Sequence, residues 1–370
     1  MAEYIYHSKQ WPSFSWNEQE VQALLGEVRH LQGKILGQMS TVGFSVKDEA
    51  HLNALTLDVT KSSEIEGEFL NYDQVRSSIA KKLGLEYGGI TQPDRDVEAV
   101  VEMMLDATGN YKMPLDEERL FGWHAALFPT GRSGMYKIEV GRYRSREMQV
   151  VSGAMGKEKV HYQAPSPDRV KKEMDRFLKW FNENKTLDLV LKSAIAHFWF
   201  IIIHPFDDGN GRIARAISDL LLSRSDNTSQ RFYSLSNQIL IERKVYYSVL
   251  QKTQFADGDI TEWLVWYLNC LYRALQSTET TFEKVRYKSI FWEEHAETVL
   301  NARQRLMLNK LLDGFEGKLT SSKWAKITKS SQDTALRDIN DLIDKEILQK
   351  EAQGGRSTNY ELIQCKNKNE

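Results

Sequence analysis

Apolar residues recur three and four positions apart along most of this chain, the spacing that places them on one face of an α-helix. Only seven prolines interrupt the 370 residues. Before residue 280 the pattern predicts helices over 17–39, 46–66, 72–83, 97–108, 116–127, 167–182, 187–203, 215–222, 243–252 and 260–276. We therefore expect a mainly α architecture.

Residues that start and stop helices support this pattern at two of the predicted ends. Asn17 has the character of an N-cap, with Glu20 three residues later. Gly67 follows the second predicted helix, where a left-handed residue commonly ends a helix. The turn-rich stretch 84–93 then indicates a boundary, so residues 1–93 are expected to form an N-terminal helical region.

Residues 141–164 break the helical pattern. Gln-Val-Val-Ser-Gly at 149–153 and Lys-Val-His-Tyr-Gln at 159–163 are rich in strand-forming residues and flank a glycine-containing turn. The sequence therefore predicts a β-hairpin between the helices.

The last section of the chain has an order of its own. Helices are predicted over 302–312, 320–327 and 331–345, followed by two short strands on either side of Gly354 and Gly355. Three helices and a hairpin in this order indicate a winged helix-turn-helix, which we expect over 285–365.

Composition narrows the class of protein without naming a function. The net charge of −2 gives no general attraction to nucleic acid or to an anionic membrane. Two cysteines, Cys270 and Cys365, do not make a disulfide framework, which fits a reducing compartment. The first ten residues lack the apolar core of a signal peptide, and the apolar run 198–203 is too short to span a bilayer. We expect a soluble, cytoplasmic protein.

The stretch from His204 to Arg215 carries the strongest chemical signal. It reads His-Pro-Phe-Asp-Asp-Gly-Asn-Gly-Arg-Ile-Ala-Arg. Its glycines let backbone N–H groups approach an anion, and Arg212 and Arg215 lie three apart, on one face of the helix that follows. Two guanidinium groups beside exposed amides suit a polyphosphate, and Asp208 offers the hard oxygen that a phosphate-bridging Mg²⁺ prefers.

This stretch matches the signature of the Fic family, His-x-Phe-x-Asp/Glu-Gly-Asn-Gly-Arg-x-x-Arg, at every defined position. The resemblance implies an all-helical core over about 94–278, with the signature loop between two helices and a β-hairpin flap. It also implies an enzyme that moves AMP from ATP to a Ser, Thr or Tyr hydroxyl of a target protein. ATP is then the substrate and Mg²⁺ the cofactor.

Within this resemblance the first residues of the signature are expected to have separate roles in the reaction. His204 is the expected base, because an imidazole titrates near neutral pH and can take the proton of an attacking hydroxyl. Asp208 is expected to hold Mg²⁺ between the phosphates. Phe206 is expected to anchor the loop in the core.

The remaining signature residues are expected to hold the nucleotide. The amides around Gly209, Asn210 and Gly211 would form an anion hole, and the Asn210 side chain is a further candidate contact to a phosphate oxygen. Arg212 would grip the β-phosphate, and Arg215 would bind the γ-phosphate.

Two further stretches look like family features. Tyr246 and Tyr247 are candidates to contact the nucleobase, with Gln254 one helical face onward, although a tyrosine pair on a helix is more often part of a core. The hairpin at 149–163 is expected to bind the target by strand addition, with Ser152 and Gly153 bordering the nucleotide. A hairpin with a purely structural role is the alternative.

Ser62-Ser63-Glu64-Ile65-Glu66-Gly67 fits the inhibitory pattern of the family, Ser/Thr-x-x-x-Glu-Gly/Asn. We expect the Glu66 carboxylate to pair with Arg215 and so to withhold the guanidinium from the γ-phosphate. In some relatives the same glutamate also assists removal of AMP, so both directions stay open.

Other functions remain as alternatives. A Fic enzyme could remove AMP, or transfer another phosphate-containing group. A nucleotide-sensing DNA-binding regulator belongs to a different class, but residues 301–370 hold 13 basic against 10 acidic residues, which is mild for a DNA-binding domain. We therefore favour a protein-interaction or dimer-stabilising role for this region, and leave a homodimer open.

Overall fold

The computed structural model describes residues 3–85, 93–152, 159–312, 315, 317–351 and 358–363. The chain divides into two compact units, Met1–Glu279 and Thr280–Glu370. The predicted boundary at residue 93 therefore separates two sequence regions inside the first unit.

The first unit is built mainly from helices, as the periodicity predicts. Its helices are α1 (Glu18–Thr41), α2 (Phe44–Ile65), α3 (Tyr72–Lys82), α4 (Arg95–Gly109), α5 (Glu117–Leu127), α6 (Pro167–Glu183), α7 (Leu189–Ile203), α8 (Asn210–Asp226), α9 (Leu235–Ile241), α10 (Arg243–Thr253) and α11 (Thr261–Glu294), the last of which continues past residue 279. Two antiparallel hairpins lie between α5 and α6, β1 (Arg132–Ser133) with β2 (Tyr136–Lys137) and β3 (Gln149–Ser152) with β4 (Lys159–Gln163). The mainly α fold with a small hairpin is confirmed.

Helices α7 and α8 form the centre of this unit. They pack against each other, and nearly every residue of α7 is buried, which is why its sequence is apolar on all faces. The loop 204–209 joins them, so the two helices present that loop at one end of the core. Phe206 fixes the loop, because its buried ring stacks on His124 with 4.3 Å between the ring centroids.

Helix α2 packs against α8 and α9, and a buried polar cluster lies along that contact. Arg231 donates to Asp219 of α8 at 2.9 Å and lies 3.8 Å from Asp226. Asp58 of α2 accepts a hydrogen bond from Ser234, and burial together with the charge of Asp219 raises its pKa. Helices α2 and α8 thus share one buried group of charges.

Several predicted element ends differ from the structure. Helix α8 begins at Asn210 rather than residue 215, since Gly209 occupies its N-cap with φ +77° and the next signature residues form its first turn. Helix α9 and the β1–β2 hairpin were not predicted, because elements of two to seven residues are too short to show a period. Helix α11 runs to Glu294 and not to 276.

The second unit contains, after the end of α11, α12 (Ala302–Leu312), α13 (Ser321–Thr328) and α14 (Gln332–Asp344), then β5 (Leu348–Lys350) paired with β6 (Tyr360–Leu362). Its core is centred on Trp324, Ile339 and Leu342. The order of elements is the one expected for a winged helix, and that assignment stays a prediction. Gly354, Gly355 and Cys365 lie outside the described residues.

In the part of the chain that the structure describes, no helix is both long and apolar enough to cross a bilayer. Cys270 is a buried free thiol.

The buried cluster around Arg231 predicts a large effect on stability. Arg231→Met leaves buried aspartates without their cation, so we expect the free energy of unfolding to fall by about 3–5 kcal/mol. Arg273→Met, which removes a partly exposed pair with Glu242, is the matched control and should cost about 1 kcal/mol or less. Urea denaturation measures both, and equal losses would contradict the assignment.

Candidate active site

His204 lies directly after the last residue of α7, in a left-handed backbone conformation with φ +51°. Such a conformation is uncommon for a residue with a side chain, and at a loop between packed helices it is held by its surroundings. The His204 N–H donates to the carbonyl of Phe200 at 3.0 Å, which closes the helix. The backbone therefore turns the imidazole out of α7 towards the loop.

The protonation state of His204 follows from its surroundings. Burial lowers its pKa to about 4, and the hydrogen bond to the Ile201 carbonyl only partly opposes this shift. Because a carbonyl can only accept, the 3.2 Å contact from Nδ1 to that carbonyl requires the proton to be on Nδ1. A neutral ring with this tautomer leaves the lone pair of Nε2 available to take a proton.

The Asp208 carboxylate lies on the same loop. Its Oδ1 accepts from the Gly209 N–H at 2.6 Å, and its Oδ2 accepts from the Ser133 hydroxyl of β1. Ser133 was not predicted, because two-residue strands give no sequence signal.

The Asn210 side chain holds the loop together. It is buried, accepts from the Phe206 N–H at 3.0 Å and donates to the Phe206 carbonyl at 2.8 Å. These contacts use one of the two N–H donors of the amide, so the contact to a phosphate oxygen stays a prediction. The amides of Asn210 and Gly211 remain in the first turn of α8, where anions bind.

Arg212 and Arg215 project from the first turns of α8, and both are buried. Arg212 lies over the Phe128 ring at 5.0 Å and pairs with Glu68. Two of their donors, Arg212 Nε and Arg215 Nη1, have no acceptor among the described residues. Buried donors without partners cost free energy, so this arrangement favours a ligand that brings acceptor oxygens.

Glu66 pairs with Arg215, as the inhibitory pattern predicts. Arg215 Nη2 donates to Glu66 Oε1 at 2.7 Å, and Ser62 accepts from the same guanidinium through its hydroxyl and its carbonyl, each at 2.8 Å. The carboxylate lies so close to Gly211 that a Cβ atom there would overlap Glu66 Oε1. Glu66 thus occupies the anion site at the N-terminus of α8.

Comparison with known proteins agrees with this geometry. Residues 114–222 match the Fic/DOC family model, and residues 4–85 match a domain of unknown function, DUF4172. The chain therefore carries a Fic domain.

Curated relatives match only part of the chain. It is 34% identical over 90 residues to protein adenylyltransferase fic-1 of Caenorhabditis elegans, which covers 24% of the chain and 16% of that protein. It is 32% identical over 112 residues to the probable protein adenylyltransferase aq_aa38 of Aquifex aeolicus, covering 30% of each. The matched parts thus span less than a third of these relatives.

A solved structure supports the fold over nearly the whole chain. A Fic family protein from Desulfovibrio desulfuricans superposes with a TM-score of 0.54 and 22% identity, covering 93% of this chain and 96% of that one. At this identity the likeness concerns the fold alone.

The residues of this Fic domain fit a metal that arrives with the nucleotide. Among the described residues, no group of three or more His, Cys, Asp and Glu side chains could hold a metal ion by itself. Mg²⁺ is commonly bound through one or two carboxylates together with phosphates and water. Asp208 is the carboxylate of the signature loop that would supply this contact.

Arg144, which was not singled out from the sequence, joins the Fic loop to the base of the flap. Its Nε donates to the His204 carbonyl at 2.7 Å and its Nη2 to the Pro165 carbonyl at 2.5 Å, while its backbone N–H donates to Pro205. All these acceptors are carbonyls, so the guanidinium acts as a brace for the backbone.

The outer edge of β4 is held by the N-terminal residues. The Gln163 N–H donates to the Tyr4 hydroxyl at 3.1 Å, and the Tyr6 hydroxyl donates to the Gln163 carbonyl at 2.9 Å. Gln254 donates from Nε2 to the His161 carbonyl at 2.7 Å. Gln254 is therefore a contact of the flap, and its contact with the nucleotide stays a prediction.

The two tyrosines predicted to contact the nucleobase differ in exposure. Tyr246 is buried among tryptophans, with its hydroxyl 3.0 Å from His197 Nε2. Tyr247 is partly exposed, and its hydroxyl lies 3.5 Å from the Ile65 carbonyl, so it is the more accessible of the two. The contact of either tyrosine with a base stays a prediction. Ser152 ends β3, with a side chain outside the description, and Gly153 lies outside the described residues.

The tyrosine contacts predict a measurable protection of β4. Tyr4→Phe and Tyr6→Phe each remove one hydrogen bond to Gln163, worth about 1 kcal/mol, so together they should speed exchange of the Gln163 amide about tenfold or more. Hydrogen exchange of peptides covering 159–164 measures this. Tyr136→Phe, at an exposed tyrosine of β2, is the control and should change nothing. Unchanged exchange in the double variant would refute the contact.

Proposed function

We propose that this chain is a self-inhibited protein adenylyltransferase, which transfers AMP from ATP to a hydroxyl of a target protein and releases pyrophosphate. The observation that carries the proposal is the pair of buried arginines on the helix that follows His204, with donors that lack acceptors among the residues that the structure describes. The names of the matched relatives support the same reaction at the level of the Fic domain.

The polyphosphate of ATP fits the first turns of α8. Backbone N–H groups at a helix N-terminus and two guanidinium groups offer more donors than one carboxylate can use. Arg212 would hold the β-phosphate and Arg215 the γ-phosphate, which would orient the bond from the α-phosphorus to the leaving pyrophosphate for in-line attack. A Mg²⁺ ion held by Asp208 would neutralise charge on the phosphates.

His204 is the proposed base. The target hydroxyl attacks the α-phosphorus, its proton passes to Nε2 of His204, and the bond to the β-phosphate oxygen breaks. The Nδ1–H contact with the Ile201 carbonyl keeps Nε2 in the acceptor form.

The target segment would add to the free edge of β3. Since the Gln163 N–H and C=O face the tyrosines, the antiparallel pair Gln149–Gln163 does not exchange ladder bonds. The N–H and C=O of Gln149 consequently point away from β4, where an extended chain could pair with them. Because the tyrosines occupy the outer edge of β4, we expect a partner to pair with the outer edge of β3.

Inhibition follows from the position of Glu66. Because the Glu66 carboxylate binds Arg215 and lies against Gly211, the γ-phosphate loses both its cation and its space.

The alternative of DNA-binding regulation gains no support, because Asp338 of α14 is a buried acid paired with Arg303.

Incubation with α-³²P-ATP and Mg²⁺ tests the proposal. Glu66→Gly should label protein about tenfold or more faster than the wild type, because a charge-assisted contact no longer opposes the phosphate. Adding His204→Ala should reduce the label at least about 100-fold, since general bases contribute factors of that size. Arg215→Ala in the Glu66→Gly protein should weaken use of ATP.

Glu64→Gly is the matched control, because Glu64 pairs with Lys61 and with no signature residue. It should behave as the wild type. Equal labelling by the wild type and Glu66→Gly would contradict inhibition, and full activity of the His204→Ala double variant would contradict the base.

The pKa of His204 predicts the pH dependence of the Glu66→Gly enzyme. A base with a pKa of about 4 is already neutral at pH 5, and removing the Glu66 charge, which raises this pKa, lowers it further. The transfer rate should therefore show no acidic limb between pH 5 and 8. A limb with a midpoint near 6.5 would show an ordinary histidine and overturn the assignment.

A further inference from the structure

A second carboxylate lies on the other signature arginine. Arg212, which is almost wholly buried, donates from Nη1 to Oε2 of Glu68, two residues after Glu66. Glu68 is outside the inhibitory pattern at 62–67, so no part of that pattern anticipates this pair.

The end of α2 places Glu68 by a defined backbone motif. The Glu68 N–H donates to the Ser63 carbonyl at 3.0 Å, and the Gly67 N–H donates to the Glu64 carbonyl at 3.0 Å. These two bonds, with Gly67 at φ +87°, form a Schellman motif, in which Glu66 is the C-cap and Glu68 follows the glycine. One helix ending therefore fixes the backbone of both glutamates.

The end of α2 is an electrostatically unfavourable place for both carboxylates. The C-terminus of a helix carries partial negative charge and disfavours acids, whereas the N-terminus of α8 and its arginines attract them. Partial burial raises the pKa of Glu68, and Asp208 and Glu66 add to this shift while Arg212 opposes it. The pairs with α8 thus hold two like charges in a crowded place.

We propose that Glu68 is a second inhibitory carboxylate, which occupies Arg212 and opposes binding of the β-phosphate independently of the block by Glu66. This inference rests on the proposed function, because Arg212 is assigned there to the nucleotide. It divides inhibition into two parts, with Glu66 set against the γ-phosphate and Glu68 against the β-phosphate.

The two parts differ in strength. The Glu68 side chain is 48% exposed, against 32% for Glu66, and it has one arginine contact while Glu66 also fills the space beside Gly211. A half-exposed pair is worth little, so Glu68 should change nucleotide affinity about fivefold. Removing Glu66 alone leaves this part in place.

Nucleotide binding by isothermal titration calorimetry separates the two parts, and it needs no transfer of AMP. The full chain with His204→Ala and Glu66→Gly is titrated with ADP and with ATP, each with Mg²⁺. Adding Glu68→Gln should tighten ADP about fivefold, because ADP carries the β-phosphate and lacks the γ-phosphate. Glu64→Gln removes a charge from the same turn, and should leave the affinity for ADP unchanged.

A double-mutant cycle assigns the effect to the pair. With Arg212→Met as background, Glu68→Gln should no longer change the affinity for ADP, since its partner is gone. The same fivefold gain in that background would show a general charge effect and overturn the proposal.

The remaining outcomes separate this inference from the proposed function. One outcome is that ATP binds more tightly after Glu66→Gly while Glu68→Gln leaves the affinity for ADP unchanged or lowers it. That outcome would support the proposed function and overturn the inhibitory role of Glu68. If no variant binds ATP or ADP, both are overturned.

Discussion

The buried guanidinium of Arg215 is the group on which the site depends. A buried charged side chain needs acceptors, and in this structure Ser62 and Glu66 at the end of α2 supply them. The end of α2 is therefore drawn to the start of α8 by the same charge that a phosphate would use. In the proposed function, Glu66 and the γ-phosphate of ATP would compete for this one cation.

A buried cluster of charges between α2 and α8 supports the contact between Glu66 and Arg215. Asp58 and Asp219 lie on these two helices, and Arg231 binds Asp219, with all three side chains fully buried. Moving α2 as a rigid body would disturb this cluster, which is costly. A change confined to the last turn, where Glu66 and Glu68 lie at the surface, leaves the cluster intact and is the easier way to free the arginines.

How far the sequence predicts this site depends on how local each contact is. His204, Asp208 and the arginines follow from one short stretch, and the Glu66 pair follows from a second pattern. The caps at Asn17 and Gly67 were equally local and are confirmed. Helix periodicity was sufficient for most element ranges.

Contacts that depend on distant parts of the chain were not predictable in the same way. Tyr4 and Tyr6 contact Gln163, which lies more than 150 residues away in the sequence. Neither segment contains a pattern that predicts a contact with the other. The Asn210 side chain and Tyr246 were predicted to contact the nucleotide because their residue types suit that role, and in the structure both also have hydrogen-bond partners within the protein. Residue type alone cannot tell a free hydrogen-bonding group from an occupied one.

Gly211 has a consequence for how such a protein can change. The space above its Cα is shared, because a carboxylate fills it now and a phosphate would need it later. A side chain at this position would expel both occupants together. In the proposed function, a substitution of Glu66 would therefore relieve inhibition, whereas a side chain at position 211 would exclude the phosphate together with the carboxylate.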